Sequence, residues 1–119
     1  MVKTKIQGIL QFLILDTDKY QPMDKKHFFL KLNPPRASFM MDMTTHEKEI
    51  MMQHVAYWAP FVKDGTVIVL GPVFDPKGGY GIAVVAVDNE TQLNAMVAAD
   101  PAIAINTYEI YPMKAVTPS

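Results

Sequence analysis

The chain has 119 residues, 50% of them hydrophobic and 19% charged, so it is long enough to bury one core and leaves no room for a second domain. The formal net charge of −1 argues against nucleic acid and anionic membranes as partners, because those partners are usually met by a basic excess. The absence of cysteine excludes disulfides, thiolate metal sites and cysteine nucleophiles.

The first 22 residues have an ambiguous pattern. Two lysines precede the apolar run "IQGILQFLIL", as in a secretory signal, but Gln7 and Gln11 interrupt that run and no small-residue cleavage site follows. The run is also too short to span a bilayer. We therefore expect a cytoplasmic protein, with export as the alternative if residues 1–22 act as a signal. Residues 1–26 are predicted to be an extension of uncertain role, residues 27–113 the functional domain and residues 114–119 a tail.

The first predicted strand is "HFFLKLN", which ends at Pro34 and Pro35. Thr44 and Glu47 then have capping-box spacing and predict the start of a helix that Pro60 bends or ends near its last turn. Helical spacing of about 100° per residue places one inward stripe on this helix, and the stripe includes a histidine. Its members are Ile50, Met51, His54, Trp58, Phe61 and Val62.

The segment "TVIVLGPVFDPKGGYGIAVVAV" contains two β-rich runs separated by turn residues and predicts an antiparallel hairpin. "NETQLNAMVAAD" predicts a second helix that ends at Asp100, because Pro101 forbids continuation, and "INTYEIY" predicts the last strand. The order β-α-β-β-α-β indicates an α+β, ferredoxin-like sandwich. In this fold two helices cover one face of a four-stranded antiparallel sheet.

The run "GIAVVAV" is apolar on both alternating sets of side chains, so this strand requires burial on both faces of the sheet. Because two helices cover only one face, we predict a homodimer formed through the open face of the sheet.

The predicted topology brings several chemically active side chains to one edge of the sandwich. An inward His54 beside the carboxylate of Asp100 would suit proton transfer, and Arg36 could hold an anionic substrate by a two-pronged contact. Further candidates for binding a substrate in this cleft are Tyr57, Trp58, Asp75 and Tyr80. No metal is expected, because His46 and His54 are eight residues apart and no cysteine assists them, and no cofactor is expected either.

The segments "PPRASF", "QHVAYW", "LGPVFDPKGGYG" and "AADPAI", in this order and spacing, resemble the YCII-related (YciI-like) family over residues 27–113. The resemblance implies a ferredoxin-like fold that dimerises as an α/β barrel, with a histidine and aspartate pair as the active site. These residues would be His54 and Asp100. The family also looks distantly similar to the muconolactone isomerase type of barrel, and its chemical precedent is a dehydrochlorinase of a hydroxylated chloroaromatic.

Two classes of function remain open. The first is a cofactor-free acid–base enzyme, of the dehydrochlorinase or isomerase type, acting on a small anionic substrate that is aromatic or enolisable. The second is a non-catalytic module that binds a small metabolite in the same pocket, since a fold does not fix a function. In the second case, or if His54 is a hydrogen-bonded core residue, no turnover is expected.

Overall fold

The computed structural model describes residues 25–118. Its four strands form one antiparallel sheet in the order β2-β3-β1-β4. In chain order the elements are β1 (Lys26–Asn33), α1 (Phe39–Asp42), α2 (Thr45–Lys63), β2 (Val67–Val73), β3 (Tyr80–Val87), α3 (Glu90–Ala98), a 3₁₀ turn (Pro101–Ala104) and β4 (Thr107–Met113). This arrangement confirms the predicted ferredoxin-like α+β fold. The short helix α1 and the 3₁₀ turn were not predicted, and the expectations for residues 1–22 lie outside the described residues.

Helix α2 begins where the capping box predicts. The Thr44 hydroxyl accepts a hydrogen bond from the Glu47 backbone N–H at 3.1 Å, and the Glu47 carboxylate accepts one from the Thr44 N–H at 2.9 Å. The helix continues past Pro60 to Lys63, and Gly65, with a φ of 86°, then turns the chain toward β2. The 19-residue helix therefore keeps its full inward face, which carries His54.

The core lies between one face of the sheet and helices α2 and α3. Alternate residues of β1 and β3 are buried, and they pack with Trp58 of α2 and with Leu93 and Met96 of α3. The prediction that Val62 faces inward is wrong, since it is 46% exposed, while Tyr57 packs against the core. At about 100° per residue, the buried arc is centred nearer Ile50 and Phe61 and leaves Val62 at its margin.

The opposite face of the sheet carries a row of apolar side chains that crosses all four strands. The strand register pairs Val69 with Val84, Val84 with Phe29, and Phe29 with Tyr111. Val69 and Tyr111 are each about half exposed. Within residues 25–118, the helices that pack on the sheet cover its other face.

Both edge strands carry features that disfavour pairing with a further strand. Strand β2 contains Pro72 and a register shift between Val67 and Val69, and strand β4 contains Pro112. In the part of the chain from residue 25 to residue 118, no helix is long and apolar enough to cross a membrane.

Candidate functional site

The centre of the site is a contact between His54 of α2 and Asp100, which follows α3. Nδ1 of the imidazole lies 3.0 Å and 2.9 Å from the two carboxylate oxygens of Asp100. Asp100 is only 1% exposed, and the His54 side chain keeps 14% of its surface accessible. The carboxylate is thus buried behind the imidazole, and the imidazole is the member of the pair that can be reached from outside.

Three further groups donate hydrogen bonds to the same carboxylate. Trp58 Nε1 lies 2.8 Å from Oδ2, the Tyr108 hydroxyl lies 2.5 Å from Oδ2, and the Ala102 backbone N–H lies 2.9 Å from Oδ1. Asp100 holds the Ala102 N–H because it is the N-cap of the 3₁₀ turn that begins at Pro101. A buried carboxylate is tolerated only when it is hydrogen-bonded in this way.

These donors determine the charge of Asp100. Burial by itself raises the pKa of its carboxyl group, but the hydrogen bonds from His54, Trp58, Tyr108 and Ala102 together hold that pKa below its ordinary value. In contrast, burial and the hydrogen bond to Asp100 raise the pKa of the Tyr108 phenol. Asp100 is therefore a carboxylate at neutral pH, and Tyr108 remains a protonated donor to it.

An ionised carboxylate fixes the tautomer of the histidine that it contacts. Because the carboxylate of Asp100 can only accept, Nδ1 of His54 carries the hydrogen, and in the neutral ring the lone pair is on Nε2. The arrangement can therefore do two things chemically. It presents one basic nitrogen, and it stabilises the imidazolium that forms when that nitrogen takes a proton.

His54 lies in the wall of a cavity of about 420 Å³, between the sheet, helix α2 and the hairpin turn after β2. Apolar side chains make most of the wall, including those of Leu30, Leu70 and Phe74. Among residues 25–118, none of those that line the cavity is lysine, arginine, aspartate or glutamate. A ligand in this space would meet a histidine nitrogen in surroundings that are otherwise mostly apolar.

Methionines and a glycine shape one side of the cavity. Met40, Met43 and Met51 contribute to the lining. A Cβ atom at Gly79 would collide with the sulfur of Met40, so glycine at this position leaves room for the thioether. Methionine sulfur packs favourably on aromatic rings and its side chain is flexible, so this wall can adapt to a ligand.

Two of the other predicted site residues line the same cavity. Trp58 and Tyr80 contribute to its wall together with His54. Tyr57 lies next to the site but faces the core, where its hydroxyl donates to the Met96 carbonyl at 2.7 Å. The structure therefore brings His54, Asp100, Trp58 and Tyr80 together and places Tyr57 behind them.

Arg36 and Asp75 lie elsewhere, in the lining of a second cavity of about 270 Å³. The Arg36 guanidinium donates to both Glu47 carboxylate oxygens, at 2.9 Å and 2.8 Å, and its Nε donates to Asp42 at 2.9 Å. The hydrogen bond from Arg36 is the main reason that the pKa of Glu47 is lowered to about 2. Arg36 is thus paired with two carboxylates and is not part of the His54 cavity.

Two residues of the site were not predicted from the sequence. Tyr108 and Asn106 both line the cavity, and the Asn106 side-chain nitrogen donates to the Ala102 carbonyl at 3.0 Å. The alternation of Tyr108 and Ile110 in the last strand contained the signal for Tyr108, because both side chains pack against the core. Between residues 25 and 118, no three histidine, aspartate or glutamate side chains are grouped closely enough to hold a metal ion.

Comparison with known proteins gives one family match. The family described as "YCII-related domain" matches residues 28–117. No curated protein matches the chain. Among solved structures, SnoaB, a cofactor-independent oxygenase from Streptomyces nogalater, is similar at a TM-score of 0.44 and 14% identity, over 80% of this chain and 96% of that chain. A mutant of SnoaB gives the same TM-score and coverage at 12% identity.

Proposed function

The chain belongs to the YCII-related domain family, and we propose that it is a cofactor-free acid–base enzyme in which His54 transfers a proton and Asp100 orients it. The observation that carries this proposal is the contact between His54 Nδ1 and both oxygens of a buried carboxylate, at the wall of an apolar cavity. A histidine that only filled the core would not need an ionised partner held by three other donors.

In the proposed reaction, Nε2 of His54 removes a proton from an acidic O–H or C–H group of a small, aromatic or enolisable substrate. The electron pair of the broken bond stays on the substrate as an enolate or phenolate, and the proton forms the imidazolium. Asp100 stabilises that imidazolium through Nδ1. In isomerisation the imidazolium returns the proton to a second atom of the substrate. In dehydrochlorination the electron pair of the enolate forms a new double bond as the C–Cl bond breaks, chloride leaves with the electrons of that bond, and the imidazolium passes its proton to water. Isomerisation and dehydrochlorination differ only in this last step.

The test is exchange of deuterium from solvent into the acidic C–H positions of a panel of enolisable ketones and hydroxylated chloroaromatics, followed by NMR. This readout detects proton removal even when no product forms. We expect exchange with the wild-type protein and a loss of about 10²–10⁴-fold in His54→Gln, which is the usual contribution of a general base. His46→Gln is the matched control, because it makes the same change at an exposed position of the same helix.

The tautomer of His54 can be measured without any substrate. In the wild-type protein, nitrogen NMR shifts of the imidazole should report hydrogen on Nδ1, as the contact with Asp100 requires. Asp100→Asn should lose this fixed tautomer and most of the exchange activity while it remains folded, because asparagine can still cap the 3₁₀ turn. A fixed tautomer with no exchange on any compound would favour the binding module over the enzyme.

We also propose that two copies of the chain associate through the open face of the sheet. The row formed by Val69, Val84, Phe29 and Tyr111 supports this, because an apolar band across four strands is expected to be covered. On the same face, Lys31 lies opposite Glu109 in the strand register. A two-fold axis could therefore bring Lys31 of one copy near Glu109 of the other. The occupant that fits such a self-complementary surface is a second copy of this chain.

The limits of the functional domain also belong to the proposal. All strands and helices of the described residues lie between Lys26 and Met113, and the family match runs over residues 28–117. We infer that residues 27–113 form the domain, that residues 1–26 are an extension and that residues 114–119 are a tail. The cytoplasm is the proposed location.

A further inference from the structure

The lining of the His54 cavity also indicates the charge that a ligand has when it binds. In the part of the chain that the structure describes, the side chains around the cavity include five aromatic residues and three methionines, and no lysine or arginine that could neutralise an anion. Moving a carboxylate from water into such surroundings without a partner is costly. The cavity therefore selects against ligands that arrive with a full negative charge.

The polar groups in the wall are mostly occupied by the protein itself. Trp58 Nε1 and the Tyr108 hydroxyl donate to Asp100, and the Asn106 side-chain nitrogen donates to the Ala102 carbonyl. Among the described residues, this leaves Nε2 of His54 as the strongest hydrogen-bond acceptor that faces a ligand. An acceptor of this kind requires a ligand that brings its own hydrogen.

The charge behind His54 acts in the same direction. Asp100 is ionised, is 1% exposed and lies against the far side of the imidazole. While the imidazole is neutral, the negative charge of this carboxylate is not compensated by His54, so it repels an anion in the cavity. Arg36, the residue predicted to hold an anion, is paired with Glu47 and Asp42 outside the cavity.

From these observations we infer that the ligand enters as a neutral, mostly apolar molecule with one acidic hydroxyl group, and becomes charged only after its proton has moved to His54. The O–H bond breaks, its electron pair stays on the oxygen, and the new N–H bond forms at Nε2. The product of this step is a phenolate or enolate beside an imidazolium. The neutral ligand and the neutral imidazole thus become an ion pair. This inference rests on the proposed function, because it assigns the ligand to the same cavity and the same histidine.

Trp58 provides the measurement. It is the one tryptophan in the sequence, it lines the cavity and its indole N–H is bonded to Asp100, so a single indole N–H signal in the NMR spectrum reports binding at this place. We would titrate the full chain with α-naphthol, with α-naphthoate, which carries the same rings and a carboxylate, and with methyl α-naphthyl ether, which lacks the proton. The three probes separate the contributions of ring, charge and hydrogen.

We expect α-naphthol to bind at least tenfold more tightly than α-naphthoate, because the anion loses its solvation and meets no cation. The methyl ether should bind about fivefold more weakly than α-naphthol, the loss expected for one hydrogen bond of about 1 kcal/mol. Equal or tighter binding of α-naphthoate would overturn the inference. So would failure of all three probes to move the Trp58 signal.

A substitution at the mouth of the cavity tests the cause of the selectivity. Leu70 lines the cavity and is 38% exposed on the edge strand β2, so Leu70→Lys adds a cation there at little risk to the fold. Ile68→Lys is the matched control, since Ile68 is 40% exposed on the same strand and does not line the cavity. The ratio of α-naphthol to α-naphthoate affinity should fall at least tenfold in Leu70→Lys and stay unchanged in Ile68→Lys. An unchanged ratio in both variants would refute the electrostatic argument.

The outcomes of this experiment and of the exchange assay are distinct. Preference for the neutral probe without any proton exchange would sink the enzymatic proposal and keep the assignment of ligand charge. Proton exchange on a ligand that binds as its anion would keep the enzyme and overturn the present inference.

Discussion

Tyr108 is the position at which the hydrogen-bond network can be tested with the smallest change. Its hydroxyl donates to Asp100 Oδ2 at 2.5 Å, and its ring packs against the core. Tyr108→Phe keeps the ring and removes only the donor. Asp100 then retains three donors, namely His54, Trp58 and the Ala102 N–H, so the buried carboxylate stays ionised but less well held.

The expected cost of this change follows from the charge of the acceptor. A hydrogen bond to a charged group contributes about 1.5–3 kcal/mol, and phenylalanine leaves no unsatisfied donor of its own. We therefore expect Tyr108→Phe to lower the free energy of unfolding by about 2 kcal/mol, which corresponds to a fall in melting temperature of roughly 8–16 °C for a domain of this size.

The assay is urea unfolding at neutral pH, followed by the fluorescence of Trp58 and by circular dichroism. Ser38→Ala is the matched control, because the hydroxyl of the exposed Ser38 also donates to a carboxylate, that of Asp42 at 2.7 Å, and Ser38 lies outside the open face of the sheet. Exposed interactions of this kind contribute little, so the control should change the unfolding free energy by about 0.5 kcal/mol or less.

A double-mutant cycle ties the effect to the carboxylate. In the Asp100→Asn background the charge is gone, so Tyr108→Phe should cost at least about 1 kcal/mol less than in the wild-type protein. If Tyr108→Phe costs the same in both backgrounds, or no more than Ser38→Ala, then the network does not depend on an ionised Asp100, and the electrostatic account of the site is wrong.

Three further predictions concern acid stability, association and the limits of the domain. The pKa of Asp100 is held below its ordinary value of 3.8, so near that pH the folded protein binds fewer protons than the unfolded chain. The ionised carboxylate therefore stabilises the folded state above about pH 4, and this stabilisation is lost as the pH falls through the pKa of the folded protein. Urea melts of the wild-type protein and Asp100→Asn should thus differ most near neutral pH and converge below pH 4, and a constant difference would contradict the assignment. Val84→Glu should shift the sedimentation mass at micromolar concentration from dimer to monomer. Met52→Glu, which adds the same charge at an exposed position of α2, should leave the mass unchanged. A monomeric wild-type protein would refute association. Removal of residues 1–22 should leave the melting temperature unchanged, and a large loss in a thermal scan would show that the domain requires them.

The sequence was most informative where local chemistry decides the structure. The spacing of Thr44 and Glu47 gave the start of α2, because a capping box satisfies two backbone groups regardless of the rest of the fold. The contact between His54 and Asp100 needed one more step, the topology that brings α2 beside the end of α3. That step depends on the right-handed connections of the fold, which a sequence of alternating elements also implies.

The sequence was least informative about Arg36. Its carboxylate partners are Asp42, in the unpredicted helix α1, and Glu47, which also closes the capping box of α2. The ion pairs of an arginine cannot be predicted from the sequence unless the conformation of the loop around it is known. For Tyr108 the alternation in the last strand indicated an inward side chain, but its hydrogen bond to Asp100 depends on the position of the chain after α3.

The prolines of the two edge strands affect how the molecule can associate. Pro72 and Pro112 each remove one backbone N–H from a free edge, and the register shift near Val67 distorts β2 further. Edge-to-edge addition of strands, which would let copies stack without limit into fibrils, is therefore disfavoured at both edges of the sheet. The proposed contact through the open face of the sheet would instead be closed by two-fold symmetry after two copies, which would give a finite assembly.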